Sequence, residues 1–551
     1  MIQTAAGTQV SQAPTGVPIS MAGIAASAWG GSLTYTVDFG DGTAPVVETD
    51  GTATHTYTTA GDFDLEMTAR SSYGIETDYS IGFDISSAAA DPQLTVTSAG
   101  ALSVSVDPAN STDPWGVYGY LIDFGDGSSS GSINEGTTSV THTYATPGTY
   151  KITLTLQDAG NDNAQTTTSY TTVGSDFTAI VPTRILNTHA GVGTGGVIAK
   201  VAGGSSINLK VGGTGSIPAN ATAVALNLTA TDATSSGYIT AYSTGQTKPG
   251  TSNLAYADGQ VKAAGVIIGL GKGGEITLAN TASTTSGVDL IADVAGYFTQ
   301  SSAAGYQPIA PDRVLDTGTG VGETGGKAAK VPGDGTLAVK VNAPSGAKAV
   351  VMNLTVTDDP VGGVINAYPY GESQPSTSSL NFAANSTIAN TVVVPLGSNG
   401  EVDLYNYDSQ PVDLIADVAG YFTSSATDAF VPVAPTRLYG GGQTATPLGA
   451  GGVLTIQPSQ QDQALPTTAA AYVYNVTVTG PADGGYLTAY GAGTTRPIPA
   501  NVNFVPEQTA SNSAVSEAGD EGSDPGADSF YNGSGGTVQL SIDAFGYFAS
   551  V

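Results

Sequence analysis

The sequence contains no cysteine, which removes disulfides, thiol nucleophiles and cysteine-ligated zinc from consideration. Basic side chains are scarce: 15 Lys+Arg stand against 46 Asp+Glu, a net charge of −31. So negative a chain is a poor match for nucleic acid or an anionic membrane surface, both of which are held by cations. It suits divalent cations, cationic partners and solubility outside a cell. Only three histidines are present, so acid–base chemistry has few centres. No apolar run approaches the ~20 residues of a membrane span. The opening "MIQTAAGTQV" lacks the basic start and apolar stretch of a signal peptide; export would require a leader already removed or another route.

What is present is repetition. A chain of 551 residues implies several domains, and self-comparison divides it into two small units followed by three larger ones. "YTVDFGDGT" (Tyr35–Thr43) and "YLIDFGDGS" (Tyr120–Ser128) recur with the tails "THTYTTAGDFDLEMTA" and "THTYATPGTYKITLTL", and Trp29 and Trp115 precede them. Leu33, Tyr35, Val37 and Phe39 alternate with small or polar residues, as do Tyr150, Ile152, Leu154 and Leu156. That period of two marks strands with one buried face. Residues 1–174 hold 18 acidic groups against Arg70 and Lys151 alone, net −16.

The order Trp, D-F-G-D-G, H-T-Y-x-x-x-G-x-[FY], found twice, resembles the polycystic-kidney-disease-type (PKD) domain. The resemblance implies an immunoglobulin-like sandwich acting as spacer, adhesion or assembly module, over residues 1–90 and 91–175.

Three longer units follow, at 176–300, 301–425 and 426–551. "VPTRILNT", "APDRVLDT" and "APTRLYGG" open them, placing Arg184, Arg313 and Arg437; "NLTATD", "NLTVTD" and "NVTVTG" lie within. "VDLIADVAGYFT" closes the first two word for word (Val288–Thr299, Val412–Thr423), and "SIDAFGYFA" (Ser541–Ala549) the third. Every block is short, β-branched or aromatic and punctuated by Gly, Asn and Pro, with no long helical period. The expected class is all-β: two immunoglobulin-like sandwiches and three larger β-sandwich or jelly-roll-like domains, each ending on the repeated phrase as its last strand. Small-polar connectors, "QSSAAG" and "SSATD", read as separators. These units resemble a tandem repeat of secreted actinobacterial proteins, "P-x-R-x-L-D-T … N-[LV]-T-[VA]-T … A-D-V-x-G-Y-[FY]", which implies the cell exterior. Within the opening motif an Arg–Asp pair exists in one copy only, Arg313 with Asp316, because Asn187 and Gly440 stand elsewhere; this favours a structural role.

Chemistry-bearing motifs are few. No Walker loop, H-E-x-x-H or G-x-S-x-G occurs. His55 and His142 lie in the repeated "THTY" and read as side chains holding backbone; His189 reads as a surface-loop residue. Ca²⁺ is the cofactor to consider, since hard cations take carboxylate and carbonyl oxygens. Asp38/Asp41 and Asp123/Asp126 bracket tight glycine turns and would supply part of such a set; the alternative is that they cap those turns. Asp520, Asp524 and Asp528 lie in "SEAGDEGSDPGADSFYNG", read as an acidic loop in the third unit and either a metal clip or a solvated segment. The "N-x-T" triplets match glycosylation acceptors, yet sit mid-strand, where a cross-strand hydrogen-bond ladder is the expectation. Tyr238, Tyr242, Tyr368, Tyr370, Tyr486 and Tyr490 recur in one block and would stack on sugars or simply pack.

The expected function is a non-catalytic extracellular structural protein, a string of β domains partnering itself in a cell-surface, S-layer-like array, with Ca²⁺ assisting lateral contacts. The alternative is an adhesin or carbohydrate-binding protein of the bacterial surface, its partner a cell-wall or surface glycan. An enzyme would need a pocket of converging carboxylates, which no motif indicates.

Overall fold

A computed structural model describes the chain except residues 5–6, 24–30, 88, 100–101, 135, 145–147, 159–162, 302, 358, 442–444, 520–524 and 550–551. The regular structure of the described chain is almost wholly antiparallel strand, as the alternation requires. It divides into two compact units, one of Met1–Ala99 and Ser103–Thr172, the other in the main of Val173–Val551.

The first unit contains two small sandwiches. One pairs a three-stranded sheet (Ile2–Thr4, Pro18–Ala22, Thr52–Thr56) with a five-stranded sheet built on the hairpin Gly61–Ser71 and Glu76–Ser86. The other pairs Val140–Thr143, Ser103–Asp107 and Thr95–Ser98 with a sheet centred on Val117–Asp123 and Thr149–Asp158. Trp115, which precedes the second D-F-G-D-G, is buried in the core of the first sandwich beside Tyr35, Val37 and Leu65. Gly40 and Gly125 are obligatory in the turns: both have positive φ, and a Cβ would lie 2.4 and 2.5 Å from the carbonyls of Asp64 and Lys151.

The second unit holds three copies of one eight-stranded sandwich. In the first copy one sheet runs Asp176–Asn187, Gly287–Thr299, Ala223–Thr231, Lys262–Gly269, and the other Ser206–Lys210, Glu275–Asn280, Gly237–Ser243, Leu254–Tyr256. Numbered along the chain these orders are 1-8-3-6 and 2-7-4-5, the strand order of a jelly roll. The second and third copies repeat it, opening on Gly305–Asp316 and Ala429–Tyr439 and closing on Asp413–Thr423 and Gln539–Ala549.

These sandwiches are not strung out one after another. Ala223–Thr231 is buried along nearly its whole length, which requires cover on both faces. Val224, Leu226 and Leu228 fill their own sandwich, whereas Asn227 and Asp293 face the corner of the next copy. The same face-to-corner contact joins the second copy to the third and the third back to the first. A heterologous contact that closes after three steps makes a ring, here within a single chain.

The repeated phrase builds the centre of that ring. Phe177 and Tyr306 of the opening strands stack on Phe422 and Phe548 of the closing strands, with ring centroids 4.1 Å apart in each pair, and Phe430 meets Phe298 in a tilted contact at 4.9 Å. The connectors read as separators lie in this hub: the Phe177 amide donates to Ala304 O, Tyr306 to Asp428 O and Phe430 to Ser175 O, at 2.8, 2.8 and 2.9 Å. Gly296, Gly420 and Gly546 of the phrase leave room for the opening-strand rings, whose atoms would stand 2.1, 2.3 and 2.5 Å from a Cβ there. The phrase is therefore a closing strand and a share of the hub at once.

Candidate functional site

In the first unit the D-F-G-D-G aspartates form turn-capping bonds. Asp38 Oδ1 accepts from Gly40 N at 2.9 Å, and Asp123 Oδ1 from Gly125 N at 2.8 Å. Asp41 Oδ1 accepts from Thr43 N and Oγ1, while Oδ2 meets His55 Nε2 at 2.8 Å. Asp126 repeats this with Ser128 and His142. The histidines, expected to hold backbone, instead hold these carboxylates and stack on Phe39 and Phe124, centroids 4.4 and 4.1 Å away. Burial works to raise the Asp41 and Asp126 carboxyls, but the hydrogen bonds from Thr43 or Ser128 and the histidine outweigh it and bring both down to about 2.

The third-unit aspartates separate. Asp520 and Asp524 lie outside the described residues. Asp528 is not in an acidic loop: it begins the strand Asp528–Asn532 and is fully buried. It occupies the register that Ile276 and Val402 fill in the other copies, because Asn532, Asn406 and Asn280 align. Tyr474 Oη and Ser516 Oγ lie 2.6 and 3.0 Å from its carboxyl oxygens, in place of Leu226 or Met352 and Ile268 or Val394. Burial pushes the Asp528 carboxyl up to about 8, which favours its neutral form beside Tyr474 and Ser516.

Sequence reading missed the strongest ion pairs. The opening-motif arginines of all three copies bind the aspartate of the closing phrase: Arg184–Asp293 at 2.8 and 3.0 Å, Arg313–Asp417 at 2.8 and 3.3 Å, and Arg437–Asp543. An Arg–Asp pair is thus present in every copy, its acid lying more than 100 residues downstream; Arg313 adds Asp316 at 3.3 Å. The signal was there, since Arg and Asp each recur at one fixed place per copy. The carboxylates are at most 3% exposed, and burial raises those of Asp417 and Asp543 against the pull of their arginines.

The seams between copies are polar and buried. At the first, Asn227 Nδ2 donates to Ser378 O (2.6 Å), Asn390 Nδ2 to Asn227 Oδ1 (2.8 Å), Gly265 N to Asn390 Oδ1 (2.8 Å) and Ser378 N to Asp293 Oδ2 (3.1 Å). At the second, Asn353 Nδ2 donates to Ala500 O, Asn512 Nδ2 to Asn353 Oδ1 and Thr391 N to Asn512 Oδ1, at 2.6, 2.9 and 3.1 Å. At the third, Ser252 N donates to Asp543 Oδ2 and Arg437 Nη2 to Gly250 O. There Ala264 stands where the other copies have Asn390 and Asn512, and the buried Asn475 Oδ1 has no hydrogen-bond partner among the described residues. The "N-x-T" asparagines are therefore at the seams, 8%, 5% and 2% exposed: Asn227 and Asn353 bond to the next copy, Asn353 Oδ1 also accepts across its own sheet from Thr391 Oγ1, and Asn475 Nδ2 donates to Thr477 Oγ1 of its own strand. A cavity of about 30 Å³ beside Asn227, Asp293, Ser378, Thr391 and Ser513 has room for a water, not a substrate. An open groove of about 460 Å³ runs between Ile180 and Val181 of the first copy and Pro395 and Leu396 of the second, with Lys348 and Glu372 among its lining.

The tyrosines of the repeated block do not form equivalent exposed clusters. Tyr238 and Tyr370 are 41% and 42% exposed, while Tyr242 and Tyr368 are buried. Tyr486 lies beside Tyr531, whose face Arg496 covers at 3.7 Å.

Residues 2–80 and 88–173 each match the PKD domain family, so the first unit carries two PKD domains. No curated protein matches the chain. Similar solved structures include the fibronectin(III)-like modules of CbhA from Clostridium thermocellum (16% identity, 31% of this chain and 91% of that one, TM-score 0.23). Others are three N-terminal domains of the outer capsid protein Hoc of bacteriophage RB49 (13%, 53% and 95%, 0.20) and a tetra-tandem repeat from a large adhesion protein (12%, 77% and 95%, 0.17). With TM-scores this low, none carries weight for architecture or function.

Proposed function

We propose that the chain is a non-catalytic protein of the bacterial cell exterior, a building block of a self-assembling surface layer. Two PKD domains support an extracellular setting. The closed ring of three jelly rolls carries the structural part of the reading. It is a block with approximate threefold repetition, whose second sheets present exposed positions at related places: Ser206 and Lys210, Thr336 and Lys340, Val453. Such a block suits lateral packing without any subunit rearrangement. The arginines, and the aspartates and histidines of the two repeated motifs, bind one another, which fits a scaffold. The test is electron microscopy and light scattering of the full chain across a Ca²⁺ titration. Ordered sheets or defined oligomers are expected; a monomer at every Ca²⁺ concentration overturns the layer.

A second reading, an adhesin or glycan binder, is favoured by the 460 Å³ groove. Saturable binding on a glycan array, lost when Leu396→Arg fills the groove, would select it over the layer.

A further inference from the structure

We propose that His189, Asp232 and Asp289 of the first jelly roll form a site for a first-row divalent cation of the Zn²⁺ type. Their ligand atoms lie within 4.8 Å of one another, with His189 Nδ1 3.5 Å from Asp289 Oδ2 and 3.9 Å from Asp232 Oδ2. Tetrahedral ligand atoms with ~2.0–2.2 Å bonds stand about 3.3–3.6 Å apart, so the 3.5 Å spacing to Asp289 fits and the 3.9 Å spacing to the exposed Asp232 needs a small closure.

The sister copies indicate that a cation belongs there. Asp289 has a counterpart in Asp413, and both are fixed identically: Thr188 Oγ1 donates to Asp289 Oδ1 at 2.6 Å, Thr317 Oγ1 to Asp413 Oδ1 at 2.9 Å. In the second copy the other carboxylate oxygen is neutralised by Lys330 at 2.8 Å. The aligned lysine of the first copy, Lys200, donates instead to the backbone carbonyl of Asp232 and makes no ion pair with Asp289 among the described residues. In the third copy the acid is Gln539, and no charge needs balancing. The Asp289 side chain is 3% exposed, and its Oδ2 accepts no hydrogen bond among the described residues. A carboxylate so buried requires a positive partner. His189 stands where the second copy has Gly318, so the copy whose lysine turned away has an imidazole facing the acid.

One imidazole nitrogen and two carboxylates suit Zn²⁺ rather than Ca²⁺, which takes six to eight oxygens. Three protein ligands leave a coordination position open for water or a carboxylate of another molecule. The ion would join the segment after Asn187 to the one after Thr231, at the end of the sandwich remote from the aromatic hub.

The test is calorimetric titration of the metal-free full chain with Zn²⁺, and separately with Ca²⁺. One Zn²⁺ equivalent is expected, weakened more than ~100-fold by His189→Ala and by Asp232→Ala, beyond the ~10–100-fold of outer-shell changes. Lys200→Ala should tighten binding by up to ~5-fold. His189 and Asp232 are 71% and 57% exposed, so these variants should keep the wild-type circular dichroism. No saturable Zn²⁺ binding, binding indifferent to His189→Ala, or Ca²⁺ binding equally well at the same residues would each overturn the site.

Discussion

The third seam of the ring lacks the asparagine-to-asparagine bridge that the first two share, and repairing it tests whether the seams hold the unit together. In the second seam Asn512 supplies four contacts: to Asn353 Oδ1, Asn501 O and Thr391 Oγ1, and from Thr391 N. Asn512→Ala leaves the Thr391 amide and the Asn501 carbonyl without that partner, while Asn353 Oδ1 keeps Thr391 Oγ1 at 3.2 Å. Buried groups losing a partner cost ~1–3 kcal/mol each, so for the two groups a loss of about 2–6 kcal/mol is expected. Ala264→Asn should do the reverse: its amide would reach the orphan Asn475 Oδ1, gaining about 1–2 kcal/mol. Asn390 and Asn512, 0% and 1% exposed, show that the equivalent positions of the other two seams accept that side chain. Val173–Val551 is 379 residues, and at ~2.1 cal/mol/K per residue its unfolding entropy is about 0.8 kcal/mol/K, or roughly 1.3 °C per kcal/mol. Differential scanning calorimetry of the full chain should then show Asn512→Ala down by about 3–8 °C and Ala264→Asn up by about 1–3 °C. Trp29 and Trp115, the only tryptophans, belong to the first unit, so the transition followed by tryptophan fluorescence should not move. If Ala264→Asn destabilises as much as Asn512→Ala, the amide bridges do not stabilise the ring and the reasoning fails.

Three further outcomes are expected. Asp528 has a folded pKa of about 8 against an ordinary 3.8, so its contribution is full below pH ~4 and falls as pH rises through 8, by at most ~1.4 kcal/mol per pH unit; Asp528→Asn should flatten that slope in Tm measurements. Asp41 and Asp126 behave oppositely: with folded pKa values of about 2, their stabilisation is full above pH ~4 and lost as pH falls through 2, so an acid titration by tryptophan fluorescence should shift to higher pH in His55→Gln. Arg313→Met leaves Asp417 buried and unpaired, costing ~3–5 kcal/mol in urea denaturation, whereas Arg313→Met with Asp417→Leu should recover most of it.

The strand content and the closing role of "VDLIADVAGYF" were legible because alternation and turn residues are local signals. The ring was not legible, because its contacts join residues such as Asn227 and Ser378, 151 positions apart, and no period reports which outer face is covered. A trace did exist: Asn and Asp recur on the outward positions of strands that are otherwise apolar, and an exposed strand would have no need of the same polar residue three times. The Tyr474–Asp528–Ser516 set was invisible for a different reason. Its members replace core residues of the sister copies, so only alignment by register shows that a polar network has entered the third core. His189 looked like a lone loop histidine until the fold brought it to Asp289, 100 residues on.

Fusion into one chain explains why these differences can exist. In a homotrimer every change appears at all three seams, so an alanine at the Asn390 position would orphan three amides instead of one. Here each copy departs alone: the first has His189 beside its buried acid, the second answers the same acid with Lys330, and the third drops the acid for Gln539 yet buries Asp528 in its core. What stays constant is the aromatic hub and the arginine–aspartate pair, the parts that any one copy shares with its neighbours or needs to close its own sheet. A change in the hub should therefore unfold all three copies together. A change at His189 or Asp528 should be felt first in the copy that carries it.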